Sequence, residues 1–249
     1  MQYSLVQNEK MISLGNLAAG IAHEINNPLS GILQGSQVII SRLATDSPAN
    51  LAAASQSGCQ LSSIHSFMNM RGIFEMLSCI RESAMRASHI VKNMLQFSRK
   101  GNRTKALVDI NDKLNESIKL CATDYSLKDK YDFRNIIIVR EYDINLPAVP
   151  CVHPDIQQVF INLLTNAAQA MIQTPSPTII LRTMKEENMV RIEMEDNGPG
   201  MEDTVRDHIF EPFFSTKASA SGTGLGLSIS LFIVTEIHSG SIDVESGLP

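Results

Sequence analysis

The 249-residue chain contains no tryptophan, and aromatic side chains make up only 5% of it. A surface built to stack on nucleobases is hard to assemble from so few rings. Positive charge is also scarce: 21 Lys and Arg stand against 26 Asp and Glu, a net charge of -5. No basic stripe is left over to neutralise a phosphate backbone, so nucleic acid is not the expected partner. The four cysteines, Cys59, Cys79, Cys121 and Cys151, never form a C-x-x-C pair. That excludes most zinc spacings and suits a reducing compartment. No apolar run approaches the ~20 residues that span a bilayer, and the opening "MQYSLVQNEK" lacks the apolar stretch of a secretory leader. The expectation is a cytoplasmic protein, or the cytoplasmic part of a longer one, with no membrane segment in this chain.

What is present, at 43% hydrophobic, suffices for a core, and its pattern changes near Arg99. Before that point Leu14, Ala18, Ile21, Ile25, Pro28, Ile32, Gly35 and Ile39 follow at alternating steps of four and three. Ile73, Leu77, Ile80, Ala84, Ala87, Val91, Met94 and Ser98 repeat the rhythm. Such stripes set one helix against another. Two helices hold too little core alone, so the expectation is an antiparallel hairpin that dimerises into a four-helix bundle. Arg99, Lys100 and Gly101 suit the end of the second helix. Between the helices, residues 45–72 are too long for a turn. Ser47-Pro48 marks a helix start there, so a helical insertion is expected.

Beyond residue 101 strands and helices alternate, an α+β arrangement in which a mixed sheet packs on helices. The expected order is a strand in "ALVDI", a helix from Asn111, a buried strand in "NIIIV" and a short strand in "AVPCV". A helix follows over "HPDIQQVFINLLTNAAQAMI", then a hairpin turning near Glu187-Asn188, a helix from about Leu225 to His238, and a strand in "SIDVE". The two domains are placed at 1–101 and 102–249.

His23 lies two residues after Ile21 and two before Ile25, which at about 100° per residue turns it away from the apolar stripe. Asn27, Ser30 and Gln34 share its face, and Ala19 and Gly20 leave the surface low beside it. An imidazole titrating near ~6.5 is mostly neutral and nucleophilic at pH 7. Glu24 beside it is placed to orient the ring and accept a proton. A solvated surface histidine is the plainer alternative. Pro28, which costs about 3 kcal/mol in a helix interior, is expected to kink the helix where a moving partner docks.

In the second domain, Val190, Ile192, Met194 and Asp196 alternate onto one strand face. A carboxylate among core side chains needs a donor, and an adenine amino group is one. Gly198 and Gly200 let backbone approach a base, although Asn197-Gly198 also suits a plain turn. Asn162 and Asn166 sit one turn apart, with Gln158 and Gln169 continuing the stripe and Ile156, Val159, Leu163 and Ala170 facing away. Amide oxygens are hard ligands suited to Mg²⁺ beside phosphates; a solvent-facing polar stripe is the alternative. Gly222, Gly224 and Gly226 at a helix start can expose N–H groups to phosphate. Phe213 and Phe214 suit anchors for a lid, and Lys217 a phosphate contact.

In this order the motifs resemble a sensor histidine kinase of two-component signalling. "IAHEINNPLSGIL" is similar to the H box, "QQVFINLLTNAAQAM" to the N box, "DNGPGM" to G1, "IFEPFFSTK" to the F box and "GTGLGLSI" to G2. The resemblance implies a dimerisation and phosphotransfer hairpin followed by an ATP-binding domain of the fold shared with Hsp90, gyrase and MutL. It implies His23 as the phosphorylated residue, Glu24 as its acid–base partner, and Asn27 as the residue that positions water for dephosphorylation. It further implies Asn162 and Asn166 on Mg²⁺ and phosphates, Asp196 on adenine, and Gly198, Gly200, Gly222, Gly224 and Gly226 around ATP. A homodimer and a response-regulator aspartate are the implied partners. The link after Arg99 is the expected hinge. Two features depart from the family: the 45–72 insertion, and an ATP-binding domain that reaches "SIDVESGLP" where members continue through a strand pair. A conformational ATPase clamp and a non-catalytic dimeric scaffold are the competing functions.

Overall fold

The computed structural model describes residues 2–98, 104–123, 132–216 and 223–247. The chain divides into two compact units, Met1–Arg99 and Lys100–Pro249. The expected helix cap and hinge at Arg99, Lys100 and Gly101, and the site candidates Lys217 and Gly222, lie outside the described residues.

The first unit is a helical hairpin of α1 (Gln2–Ala44) and α4 (Ile73–Ser98), with α2 (Pro48–Gln56) and α3 (Leu61–Met70) in the connection. The start of α2 follows from local chemistry. Ser47 caps it by accepting from the Asn50 N–H at 3.2 Å, and Pro48, which has no N–H to lose, takes the first position. Leu61 and Met68 bury the inner face of α3. Helix α1 runs through Pro28 as one continuous element.

The stripe of α1 that packs inside the hairpin is not the one the spacing suggested. Ala22 and Ser36 are buried and Asn26, Leu29, Leu33, Ile40 and Leu43 half-buried, one stripe at steps of four and three. Ala84 and Val91 of α4 are buried with Leu77 and Ser88 beside them, and Arg81 Nη1 donates to Gln37 Oε1 at 3.1 Å. The stripe through Ile25, Ile32 and Ile39 stays open, each isoleucine 39–45% exposed. At about 100° per residue it lies roughly 80° to one side of the packed stripe, and His23 and Asn27 roughly 80–130° to the other. On α4, Met76 and Ile80 are likewise exposed.

In the second unit β1 (Ala106–Val108) pairs antiparallel with β3 (Val149–Cys151). A mixed three-stranded sheet runs β2 (Ile137–Tyr142), β4 (Thr178–Glu186), β5 (Met189–Asp196), with β2 parallel and β5 antiparallel to the central β4. Helices α5 (Ile110–Thr123) and α6 (His153–Ala170) supply the other layer. Their Ile118, Cys121, Leu164, Ala167 and Ala168 meet Ile179 and Leu181 of β4 in the core. After the short α7 (Asp203–Arg206) come α8 (Gly226–Phe232) and a π-helical extension over Ile233–Ile237. His238 ties this end down: its Nε2 accepts from Val152 N at 3.0 Å while Nδ1 lies 2.9 Å from Ile233 O, placed to donate to it.

Three expectations are corrected. "NIIIV" is not a buried strand: β2 is an edge, and Ile137 is 54% exposed. "SIDVE" forms no strand. The buried face of α6 is Ile156, Val159, Phe160, Leu164, Ala167 and Ala168, whereas Leu163 is half-buried and Ala170 exposed. A helix packed on a sheet buries a stripe wider than one residue per turn, and Phe160 and Leu164 occupy its centre.

Candidate functional site

His23 sits on an unbroken helix with its side chain exposed. Asn27, one turn on and also exposed, brings Nδ2 to 3.3 Å from His23 Nδ1. An amide N–H can only donate, so in this arrangement Nδ1 accepts and the proton of the neutral ring sits on Nε2. Turning the Asn27 amide would present its oxygen instead, favouring Nδ1–H and freeing the Nε2 lone pair. Glu24 is exposed next to the histidine. The two faces of α1 are thus divided, apolar and open on one side, imidazole and amide on the other.

In the second unit Asp196 ends β5. Its pairing opposite Ile179, with Met194 opposite Leu181 and Ile192 opposite Thr183, puts it on the helix-facing side of the sheet as the alternation indicated. It lies past the cover of the helices, however, and is exposed. Its Oδ1 accepts from the Gly198 N–H at 2.9 Å. A Cβ on Gly198 would fall 2.6 Å from that oxygen and 3.4 Å from Ala170 Cβ, so glycine keeps a narrow ledge between carboxylate and helix. At Gly200 φ is +70°, and a Cβ would strike Gly247 O at 2.0 Å. Met201 N also donates to Ser246 Oγ at 2.7 Å, which fixes residues 246–247 on this loop.

The aromatic loop and the second glycine cluster meet across ten residues of chain. Phe213 N donates to Gly224 O at 2.9 Å. Gly224 has φ +65°, and a Cβ there would sit 2.4 Å from the Phe213 carbonyl carbon. Phe213 itself has φ +66° and is exposed, while the ring of Phe214 lies against His208 with centroids 5.7 Å apart. The loop is pinned by backbone rather than by buried rings, which the sequence could not show. Gly226 opens α8 beside Asn162. The Asn162 amide accepts from Gln158 Nε2 at 2.8 Å and donates to Gly226 O at 3.0 Å and Ser230 Oγ at 3.3 Å. Asn166 is half-buried one turn further along α6.

The structure therefore brings Asp196 and Gly198 together, Asn162 and Gly226 together, and Gly224 onto Phe213. His23, Glu24 and Asn27 form a separate group on the hairpin. Gln158 and Ser230 are the polar partners in the second group that sequence reasoning had not given a role; Gln158 was visible only as part of a polar stripe. Among the described residues no cluster of three or more His, Cys, Asp or Glu could hold a metal ion. No described helix is long and apolar enough to cross a membrane.

Residues 151–248 match the family described as histidine kinase-, DNA gyrase B-, and HSP90-like ATPase. The chain is 31% identical over 255 residues to the sensor histidine kinase ZraS of Klebsiella oxytoca, covering 99% of this chain and 46% of that protein. It is 31% identical over 245 residues to the signal transduction histidine-protein kinase AtoS of Escherichia coli (strain K12), covering 98% and 34%. This chain thus spans less than half the length of these relatives. Its fold matches the crystal structure of histidine kinase ThkA in complex with response regulator protein TrrA, with a TM-score of 0.56 at 24% identity over 95% of this chain and 59% of that one. The chain is thus similar over nearly its whole length to sensor histidine kinases, and residues 151–248 of its second unit match the histidine kinase-, gyrase B- and HSP90-like ATPase family.

Proposed function

We propose that this chain is an ATP-dependent protein-histidine kinase core in which His23 takes the γ-phosphoryl group and passes it to an aspartate of a response regulator. The observation that carries the reading is the exposed imidazole of His23, held by Asn27 on the helix face turned away from the open apolar stripe. A structural histidine would be tucked into packing; this one is displayed.

The second unit supplies the nucleotide side. Asp196 accepts from the adenine amino group, and the ledge at Gly198 gives the base its seat. Gly200, Gly224 and Gly226 shape the rest of the pocket, with Lys217 and Gly222 assigned to the phosphates. Asn166 would hold Mg²⁺ through its amide oxygen, and the cation would supply charge neutralisation at the phosphates. Transfer depends on positioning and charge neutralisation. The lone pair of a His23 ring nitrogen forms the N–P bond, the bridging P–O bond to the β-phosphate breaks, and ADP leaves with those electrons. The ring proton passes to Glu24 or water. The Asn27 amide, able to present either end to Nδ1, selects which ring nitrogen holds the lone pair. On the phosphorylated regulator the same amide positions water, so Asn27 also serves dephosphorylation. The open stripe of Ile25, Ile32 and Ile39 with Met76 and Ile80 is covered by a second copy, giving a homodimeric four-helix bundle.

Incubation with γ-labelled ATP and Mg²⁺ tests the reading. The protein should take up label that survives base and is lost in acid, and His23→Gln should abolish it while nucleotide binding persists. Label retained by His23→Gln, or steady phosphate release with no phosphohistidine, overturns the proposal.

A further inference from the structure

We propose that Gln158 is a positioning residue that locks the Asn162 amide as a clamp on the Gly224–Gly226 corner, so that Asn162 shapes the pocket; this rests on the nucleotide-binding reading above.

A side-chain amide has two ends of opposite character, and its neighbours decide which way it points. Gln158 Nε2 is a donor 2.8 Å from Asn162 Oδ1, and Gly226 O is an acceptor 3.0 Å from Asn162 Nδ2. Reversing the amide would set N–H against N–H and carbonyl against carbonyl. The orientation is over-determined, because Ser230, fully buried, takes the remaining Asn162 N–H on Oγ and donates its own O–H to Gly226 O at 2.9 Å. Gly226 O therefore accepts from both side chains. Such a closed set of donors and acceptors is cooperative when complete and costly when one member is wrong.

The clamp acts where the site is most constrained by sterics. Gly226 lies two residues after Gly224, whose backbone is packed on Phe213 with no room for a Cβ. Holding Gly226 to α6 therefore holds the Phe213–Gly224 junction as well. Mg²⁺ demands near-octahedral oxygen ligands, and the Asn162 oxygen is directed along α6 at Gln158 by this network.

The test uses the whole chain and the non-hydrolysable nucleotide AMPPNP, with Mg²⁺ and with EDTA, and records thermal unfolding without nucleotide. Asn162→Asp keeps a hard oxygen but loses the donors. As a clamp residue it should weaken AMPPNP binding by about tenfold, the scale of one misplaced hydrogen bond, equally in Mg²⁺ and in EDTA. Asn166→Ala should instead remove the gain conferred by Mg²⁺. Gln158→Glu, which matches the shape of glutamine but replaces its donor by an acceptor, should be worse than Gln158→Met in both affinity and melting temperature. Packing alone predicts the reverse order. Asn162→Asp with wild-type affinity in EDTA and altered Mg²⁺ dependence overturns the clamp, as does Gln158→Glu behaving like wild type. If the unsubstituted chain fails to bind AMPPNP, the nucleotide reading fails, while the melting order of the Gln158 variants still decides the clamp.

Discussion

The two units handle their polar groups in opposite ways. On the hairpin, His23 has one side-chain partner among the described residues, Asn27 at 3.3 Å, and stands on an exposed helix face. In the second unit Asn162 is hydrogen-bonded to Gln158, Gly226 and Ser230, Gly224 is clasped by backbone and Asp196 is bonded to its own loop. The contrast matches the roles proposed for the two groups. A nucleophile has to meet a phosphorus atom delivered from elsewhere, and every bond it makes beforehand must be broken. A binding site gains from bonds made in advance, because ordering costs are then met during folding rather than on binding.

The largest effect that would break this contrast is expected at Gly224. Gly224→Ala places a Cβ 2.4 Å from the Phe213 carbonyl carbon at φ +65°. Neither a backbone atom nor a left-handed conformation yields cheaply, so a loss of about 2–3 kcal/mol or more is expected. AMPPNP binding should disappear, while the helical circular dichroism of the hairpin remains. Equal binding by the Gly224→Ala variant and the unsubstituted chain would show that the pinned loop is not part of the site.

Next in size is the open stripe of α1. Ile32→Glu puts a charge where a second copy should pack, and should turn a dimer into a monomer by light scattering with little change in helix content. Leu33→Glu, one residue away on the stripe facing α4, should instead lower the melting temperature of the hairpin itself. If Ile32→Glu leaves the mass of the particle unchanged, the homodimer does not use this face.

Legibility differed between the units for related reasons. In α1 two stripes run side by side, one residue apart: Ala22, Asn26, Leu29, Leu33 against Ile25, Pro28, Ile32, Gly35. Both have helical spacing, and the more apolar one reads as the stripe set against a neighbouring helix. It is the one left open, because hydropathy measures the wish to be covered and says nothing about by whom. Asp196 was placed on the correct strand face because alternation is local, but its exposure depends on where α6 ends above it. The pairing of Asn162 with Gly226, and of Phe213 with Gly224, joins positions distant in sequence through backbone carbonyls that any residue possesses. No residue type announces such a contact. The glycines announced a constraint, and the structure identified its source.

A smaller effect concerns thiols. Cys59 and Cys79 are exposed, Cys121 and Cys151 buried, so a thiol reagent should label two groups at once and the other two only on unfolding. Burial pushes the Cys151 thiol above its usual range, with Lys113 and Lys105 pulling weakly the other way. A group whose native pKa is raised holds its proton more tightly when folded. Its contribution is complete below the ordinary thiol range and is lost as pH rises through the raised value. Cys151→Ser should lessen the alkaline fall in stability; a steeper fall would reverse the assignment.

The smallest effect is expected on the outer face of the second unit's sheet. There Arg182 of β4 bridges Glu141 of β2 and Glu195 of β5, each at 2.6 Å, with Glu193 at 3.7 Å. Hydrogen bonds to Glu195 and Glu141 hold the guanidinium protonated beyond its usual range. Yet both bridged carboxylates are more than half exposed, so water and salt screen the gain. Arg182→Met keeps the stem that covers the strands and removes only the charge. Its melting temperature should fall slightly at low salt and match the parent near 1 M salt, where the screening length is about 3 Å. A fall that persists at high salt would mean that packing by the stem, not charge, ties the edge strands to β4. AMPPNP binding should be the same in the Arg182→Met variant and its parent, because the outer face of the sheet takes no part in the site that Asp196 opens on the other.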